Sequence, residues 1–172
     1  MVGLPSRDGA GMTALLAPGP APRDLTAHGT AIDDHVCCHG TALAHGRRAV
    51  LLLGPSGAGK SGTALVLMAH GLRLIADDSV IVRASGHQLW LCAPDTAPPT
   101  IEARFVGLLG ADMVTGPLQL QLVVDLGTAE TDRLPPQRKV AWSGAEADLI
   151  LGAGNSGLWP AVLQYLRGGR SA

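Results

Sequence analysis

The stretch Gly54-Pro55-Ser56-Gly57-Ala58-Gly59-Lys60-Ser61 limits what this chain can fold into more than any other feature. Its spacing is G-x-x-x-x-G-K-S, in which glycines let a loop curl until successive backbone N–H groups point inward. Such a loop holds phosphate only where a buried strand runs into it and a helix leaves it, because the helix N-terminus adds positive potential. Both flanks are present. Ala49-Val50-Leu51-Leu52-Leu53 is an apolar run of buried-strand type, and Lys60 to His70 carries Ala64, Leu65, Leu67 and Met68 at helical spacing before Gly71. Lys60 would reach the β- and γ-phosphates of a nucleoside triphosphate, and the Ser61 hydroxyl would coordinate Mg²⁺. The chain has only two lysines, Lys60 and Lys139, and one falls where the pattern demands it. Gly54, Pro55, Ser56, Gly57, Ala58, Gly59, Lys60 and Ser61 are therefore the candidate nucleotide contacts.

The remainder reads as mixed α/β. Strands are expected over Thr41–Ala44, turning at His45-Gly46, and over Leu72–Ala76, ending in Asp77-Asp78. Val80 to Cys92 reads as a hairpin turning at Ala84-Ser85-Gly86, and Pro94 to Thr100 as a loop. The alternation Leu118-Gln119-Leu120-Gln121-Leu122 predicts a strand with one wet face. Leu158 to Leu166 predicts a helix with Pro160 in its first turn. Met1 to Arg23 is rich in Gly, Pro and Ala, which suggests a flexible extension over residues 1–27 ahead of one compact domain over 28–172.

Charge and composition narrow the partners. A net charge of −1 gives no electrostatic reason to expect nucleic acid, so an anionic ligand must be held by local geometry. No apolar run approaches the roughly 20 residues that span a bilayer, and no basic-then-apolar leader opens the chain. Three cysteines, Cys37, Cys38 and Cys92, form no even framework, which favours a reducing, cytoplasmic setting.

Asp77 and Asp78 close an apolar run, where functional groups of open α/β sheets gather beyond the strand ends. A carboxylate there can hold Mg²⁺ or accept a proton from an attacking hydroxyl, or it can be a solvated turn acid. Neighbours on an extended chain point in opposite directions, so the two acids are expected to take different roles. Two weaker signals are set aside. Gly152-Ala153-Gly154-Asn155-Ser156-Gly157 has dinucleotide-loop spacing, but the βαβ unit such a site needs does not fit before Ala172, so a loop is expected. His35, Cys37, Cys38 and His39 lack the separated ligand pairs of a zinc site.

From about Cys38 to Leu134 these pieces resemble the catalytic domain of the HPr kinase/phosphorylase family. The likeness is carried by Cys38-His39-Gly40-Thr41-Ala42-Leu43-Ala44, the glycine loop, and Gly71-Leu72-Arg73-Leu74-Ile75-Ala76-Asp77-Asp78. Ile101-Glu102-Ala103-Arg104-Phe105-Val106-Gly107 is similar to the family's signature segment, and Asp132-Arg133-Leu134 to a later arginine-bearing one. The nearest form is the short, N-terminally truncated one known from some bacteria. The fold implied is an α/β P-loop domain with a mixed sheet, of the HPr kinase and phosphoenolpyruvate carboxykinase-like type.

The resemblance implies an ATP- and Mg²⁺-dependent serine kinase acting on HPr or an HPr-like phosphocarrier, in a homo-oligomer that is often hexameric. It makes His39 a catalytic-site histidine, Asp78 the base at the substrate serine, and Asp77 a support. Glu102 becomes a second Mg²⁺ ligand beside Ser61, and Arg133 steadies phosphate charge during transfer. By themselves these residues have plainer readings: His39 as a strand histidine, Glu102 and Arg104 as one solvated strand face, Arg133 as a turn residue. Two departures stand out. Phe105 replaces a usual glycine, and beyond Leu134 the basic, proline-containing segment associated with phosphate removal is not found. Kinase activity is thus expected over phosphorylase activity. A small-molecule P-loop kinase and a non-catalytic nucleotide-binding module are the alternatives.

Overall fold

Short apolar strands broken by glycine- and aspartate-bearing turns give the chain far more sheet than helix. The computed structural model describes residues 19–171. In chain order the elements are β1 (Arg23–Asp24), a 3-10 turn (Leu25–His28), β2 (Gly29–Ile32), β3 (His35–Cys38), β4 (Gly40–His45) and β5 (Arg48–Leu53). Next come α1 (Lys60–Ala69), β6 (Arg73–Ala76), β7 (Val80–Ser85), β8 (Gln88–Cys92), β9 (Thr100–Ala103) and β10 (Gly107–Gly110). The chain closes with β11 (Leu118–Asp125), β12 (Arg138–Trp142), β13 (Ala145–Leu151) and α2 (Leu158–Gly168).

Eleven strands form one mixed sheet in the order β2-β3-β7-β8-β13-β11-β5-β4-β6, with β12 paired to β13 and β1 to β12. The β9–β10 hairpin stands apart from it. At the centre, β11 runs parallel to both β5 and β13, and Asp125 pairs with Leu53 on one side and Leu151 on the other. Three carboxyl ends therefore meet at one edge, the edge from which the glycine loop departs.

Alternation along the central strands sorts the core onto two faces. Ala49, Leu51 and Leu53 of β5 join Val36, Val82 and Leu91 in one cluster, so the curled β3–β7–β8 part covers that face. Val50 and Leu52 pack on the other face with Ala64 and Leu67 of α1 and Leu158, Val162, Leu163 and Leu166 of α2. Both helices thus lie on one side. Burying a single such leucine contributes about 1.5–3 kcal/mol, so this helix-covered layer fixes where α1 begins relative to the sheet.

Two expectations change here. The alternation of Leu118, Leu120 and Leu122 does not give one wet face, because the register of β11 against β5 shifts between Leu120 and Leu122. That bulge puts Leu118 and Leu120 on one core face and Leu122 on the other, and β11 is central. Gln121 at the bulge has a buried side-chain oxygen without a protein partner. Packing also begins inside the expected 1–27 extension. Leu25 is fully buried, β1 pairs with Val140 and Ala141, and the Arg23 guanidinium donates to Asp125 at 3.2 Å. Packing therefore starts ahead of residue 28; the expectation for residues 1–18 lies outside the described residues. Among the described residues no helix is long and apolar enough to cross a membrane.

Candidate functional site

The loop between β5 and α1 takes the conformation its glycines permit. Gly54 has φ +142° and Gly59 φ +93°, both in territory that side-chain-bearing residues rarely enter. A Cβ on Gly54 would also meet Ala58, Gly127 and Leu126 at 3.1–3.2 Å, so the loop closes tightly on the turn after β11. Gly59 caps α1 with no side-chain hydrogen bond, which leaves the helix N-terminus to whatever anion the loop holds. Lys60 is buried to 8% exposure, and its ammonium donates to the carbonyls of Gly54 at 2.9 Å and Pro55 at 3.1 Å. A cation curled over the loop in this way is positioned for phosphate oxygens, which are stronger acceptors than carbonyls.

Opposite Ser61 stands Asp77, the residue after β6. Its carboxylate accepts from the Ser61 hydroxyl at 3.3 and 3.4 Å, from Thr41 Oγ1 at 2.7 Å, and from the Glu102 backbone N–H at 3.2 Å. One carboxylate therefore joins β4, α1 and β9. Thr41, fully buried, is a positioning residue that spacing alone could not single out. Asp78 breaks the premise of an extended pair. Its φ is +68°, a left-handed conformation that aspartate tolerates better than most residues. The two acids consequently reach the same region while making different contacts. The Asp78 carbonyl accepts from Gly40 N–H at 3.3 Å and from His39 Nδ1 at 3.0 Å, so Nδ1 is the donor and Nε2 is left toward the cleft.

A cleft of about 350 Å³ gathers His39, Lys60, Ser61, Asp78, Glu102 and Arg104. Arg104 Nη2 reaches to 3.8 Å from where a side chain on Gly57 would begin, so a guanidinium overhangs the loop. Arg133 does not line this cleft. It is exposed, in a turn whose preceding N–H groups, those of Thr131 and Asp132, donate to Glu130, itself paired with Arg138. Of the two expected Mg²⁺ ligands, Ser61 and Glu102 both line the cleft, and the carboxylate hydrogen-bonded to Ser61 is that of Asp77. A hydroxyl and one or two carboxylates beside a phosphate loop suit Mg²⁺, which keeps several waters. Adjacent Cys37 and Cys38 fall on opposite faces of β3. Burial pushes the Cys38 thiol up to about 12, with the neighbouring Cys37 adding to it.

The sequence profile of the HPr Serine kinase C-terminal domain matches residues 31–141. The chain belongs to that family. The matched stretch of the HPr kinase domain holds His39, the glycine loop, both aspartates, Glu102, Arg104 and Arg133, and leaves out β13 and α2. An HPr kinase/phosphorylase of Caldanaerobacter subterraneus subsp. tengcongensis is 41% identical over 91 residues, 49% of this chain and 30% of the relative. One from Exiguobacterium is 42% identical over 84 residues, 45% of this chain and 27% of the relative. The matches thus span less than a third of those relatives' lengths. The Hpr(Ser) kinase/phosphatase of Coxiella burnetii superposes with a TM-score of 0.64 at 22% identity, covering 76% of this chain and 93% of that one. That likeness establishes the mixed α/β fold.

Proposed function

We propose that this chain is an ATP-dependent protein-serine kinase whose acceptor is HPr or an HPr-like phosphocarrier. One observation carries the assignment: the Ser61 hydroxyl bonded to Asp77 at the mouth of a phosphate loop that shares its cleft with Asp78. Family membership supplies the acceptor class. ATP is a substrate here, its phosphates lying against the loop N–H groups and Lys60.

The residues divide the work as phosphoryl transfer requires, by positioning and charge stabilisation more than by covalent chemistry. Ser61, Asp77 and Glu102 would hold Mg²⁺, which when bound neutralises charge shared between the outer phosphates. Asp78 accepts the proton of the attacking serine hydroxyl. His39, fixed on the Asp78 carbonyl, holds that residue in its left-handed turn and presents Nε2 to the cleft. Arg104 offsets charge on the transferred group, the part expected of Arg133 from sequence. The forward direction alone is assigned, because the chain beyond residue 141 lies outside the family match. The resemblance also implies a homo-oligomer, often hexameric.

The deciding experiment follows labelled phosphate from ATP to HPr, with Lys60→Ala as control. Label on the HPr serine that disappears in the control supports the assignment. Label on metabolites and none on HPr would make the chain a small-molecule kinase instead.

A further inference from the structure

The phosphate cleft does not account for a second cavity on the same helix. Its volume is about 410 Å³, within the range of small-ligand sites. Its walls include Gly62, Val66, Leu126, Asn155, Ser156 and Trp159. Gly62 also lines the phosphate cleft, so the two spaces adjoin at the first turn of α1. We propose that this cavity is the nucleoside subsite of the donor nucleotide, built by the 152–159 segment that lies outside the family match. It rests on the phosphate-loop assignment above and adds where the base goes.

Position is the first argument. With the outer phosphates at Lys60 and Ser61, the rest of a nucleotide leaves over the backbone of Gly62 and Thr63. The cavity lies beyond the carboxyl ends of β11 and β13, the parallel neighbours of β5, where open α/β sheets receive ligands. Chemistry is the second. Leu126 and Val66 give an apolar floor, and Trp159 gives an indole braced by His70, their ring centroids 4.4 Å apart. The Asn155 side-chain oxygen accepts from Gly157 N–H at 2.9 Å, so its amide nitrogen is the donor on offer to a ring nitrogen. The Gly152–Gly157 run, which resembles a dinucleotide loop in spacing, thereby has a single-nucleotide use. Gly152 must be small for another reason, since a Cβ would sit 2.8 Å from Leu158 and 3.0 Å from Val124.

A rival space of about 400 Å³ flanks Gly54 and Pro55 on the side of His28 and Asp125. Its buried carboxylate is already committed to Arg23, Gly127 and Thr128. Its apolar and flat groups are only Ala27, Pro55 and the imidazoles of His28 and His39, with no indole or branched aliphatic side chain to receive a base.

Calorimetric titration of the full chain with Mg·ADP and with Mg·pyrophosphate separates base from phosphate. Trp159→Ala should weaken Mg·ADP about 5- to 100-fold, the range of lost base stacking, with pyrophosphate unchanged. Ser156→Trp, at an exposed position, should block the cavity with the same selectivity and decides the matter if the alanine variant fails to fold. Lys60→Ala should weaken both ligands. Wild-type Mg·ADP affinity in a folded variant, or equal loss of both ligands, would overturn the subsite. Wild-type protein that binds neither ligand would overturn the phosphate loop, and the subsite with it.

Discussion

The β9–β10 hairpin and the β13–α2 unit show that a family match and core packing have different bounds. The hairpin lies inside the matched residues 31–141, yet Phe105 is fully exposed and Val106 and Leu108 more than 70% exposed. The β13–α2 unit lies outside the match, yet Ala145, Ala147, Leu149 and Leu151 fill one core face and Leu158, Val162 and Leu166 the other. The match covers the groups proposed to touch phosphate, whereas the core extends beyond it across the sheet. Core and candidate site overlap inside the match, so the β13–α2 unit is where packing can be perturbed apart from the chemistry.

The largest effect should come from the matched stretch and should leave stability alone. Asp78→Asn keeps the shape and the left-handed tolerance of the side chain but removes the base, so transfer should fall by about 10²- to 10⁴-fold. Nucleotide affinity and the urea midpoint should hold. A variant that transferred phosphate normally would remove Asp78 from the mechanism, and one that unfolded early would merge the two roles.

Leu166→Ala reverses the pattern. Leu166 is fully buried at the end of α2, so its loss should cost about 2–5 kcal/mol by urea denaturation, with transfer per folded molecule unchanged. A cost below about 1 kcal/mol would mean that α2 is a loose appendage to the matched domain.

Much of this division could be read before any coordinates. The glycine loop, its strand and its helix were legible because φ freedom, a compact apolar run and a helical period all coincide there. The hairpin across Gly86 and α2 with Pro160 in its first turn followed from the same signals. β13 was not, although Ala145, Ala147, Leu149 and Leu151 alternate with Glu146 and Asp148; alanines give a weak apolar signal. The bulge in β11 was beyond reach, because nothing local in Leu118–Leu122 announces a register shift that depends on β5. Asp77 and Asp78 do follow a strand as the sequence suggests, but their contacts were not readable from it. A left-handed residue at 78 and a threonine contact from β4 are tertiary facts.

A thiol probe sharpens the comparison at its border, where core and site meet in adjacent residues. Cys38 packs in the core one position before His39, and burial holds its thiol neutral up to about 12, against about 8.5 for an ordinary cysteine. Between those values the unfolded chain releases a proton that the folded one keeps, so stability falls as pH rises through this window. At about pH 8 a disulfide reagent should reach Cys38 only at the rate of opening, while half-buried Cys37 and Cys92 react sooner. Fast modification of Cys38 would show that β3 breathes beside the site.

The smallest effect tests the exposed side of the contrast. Phe105 sits at φ +66°, where a bulky side chain costs about 1–3 kcal/mol, and its fully exposed ring recovers none of that by packing within the chain. Phe105→Gly relieves the strain and loosens the unfolded chain, the second effect opposing the first by about 0.4–1 kcal/mol. A net gain of about 1 kcal/mol in urea is therefore expected for a hairpin that packs against nothing. A net loss would mean that the ring is buried in solution against another surface. Light scattering on both proteins would then show whether that surface is a second copy, and the hairpin would join β13–α2 as a packed element.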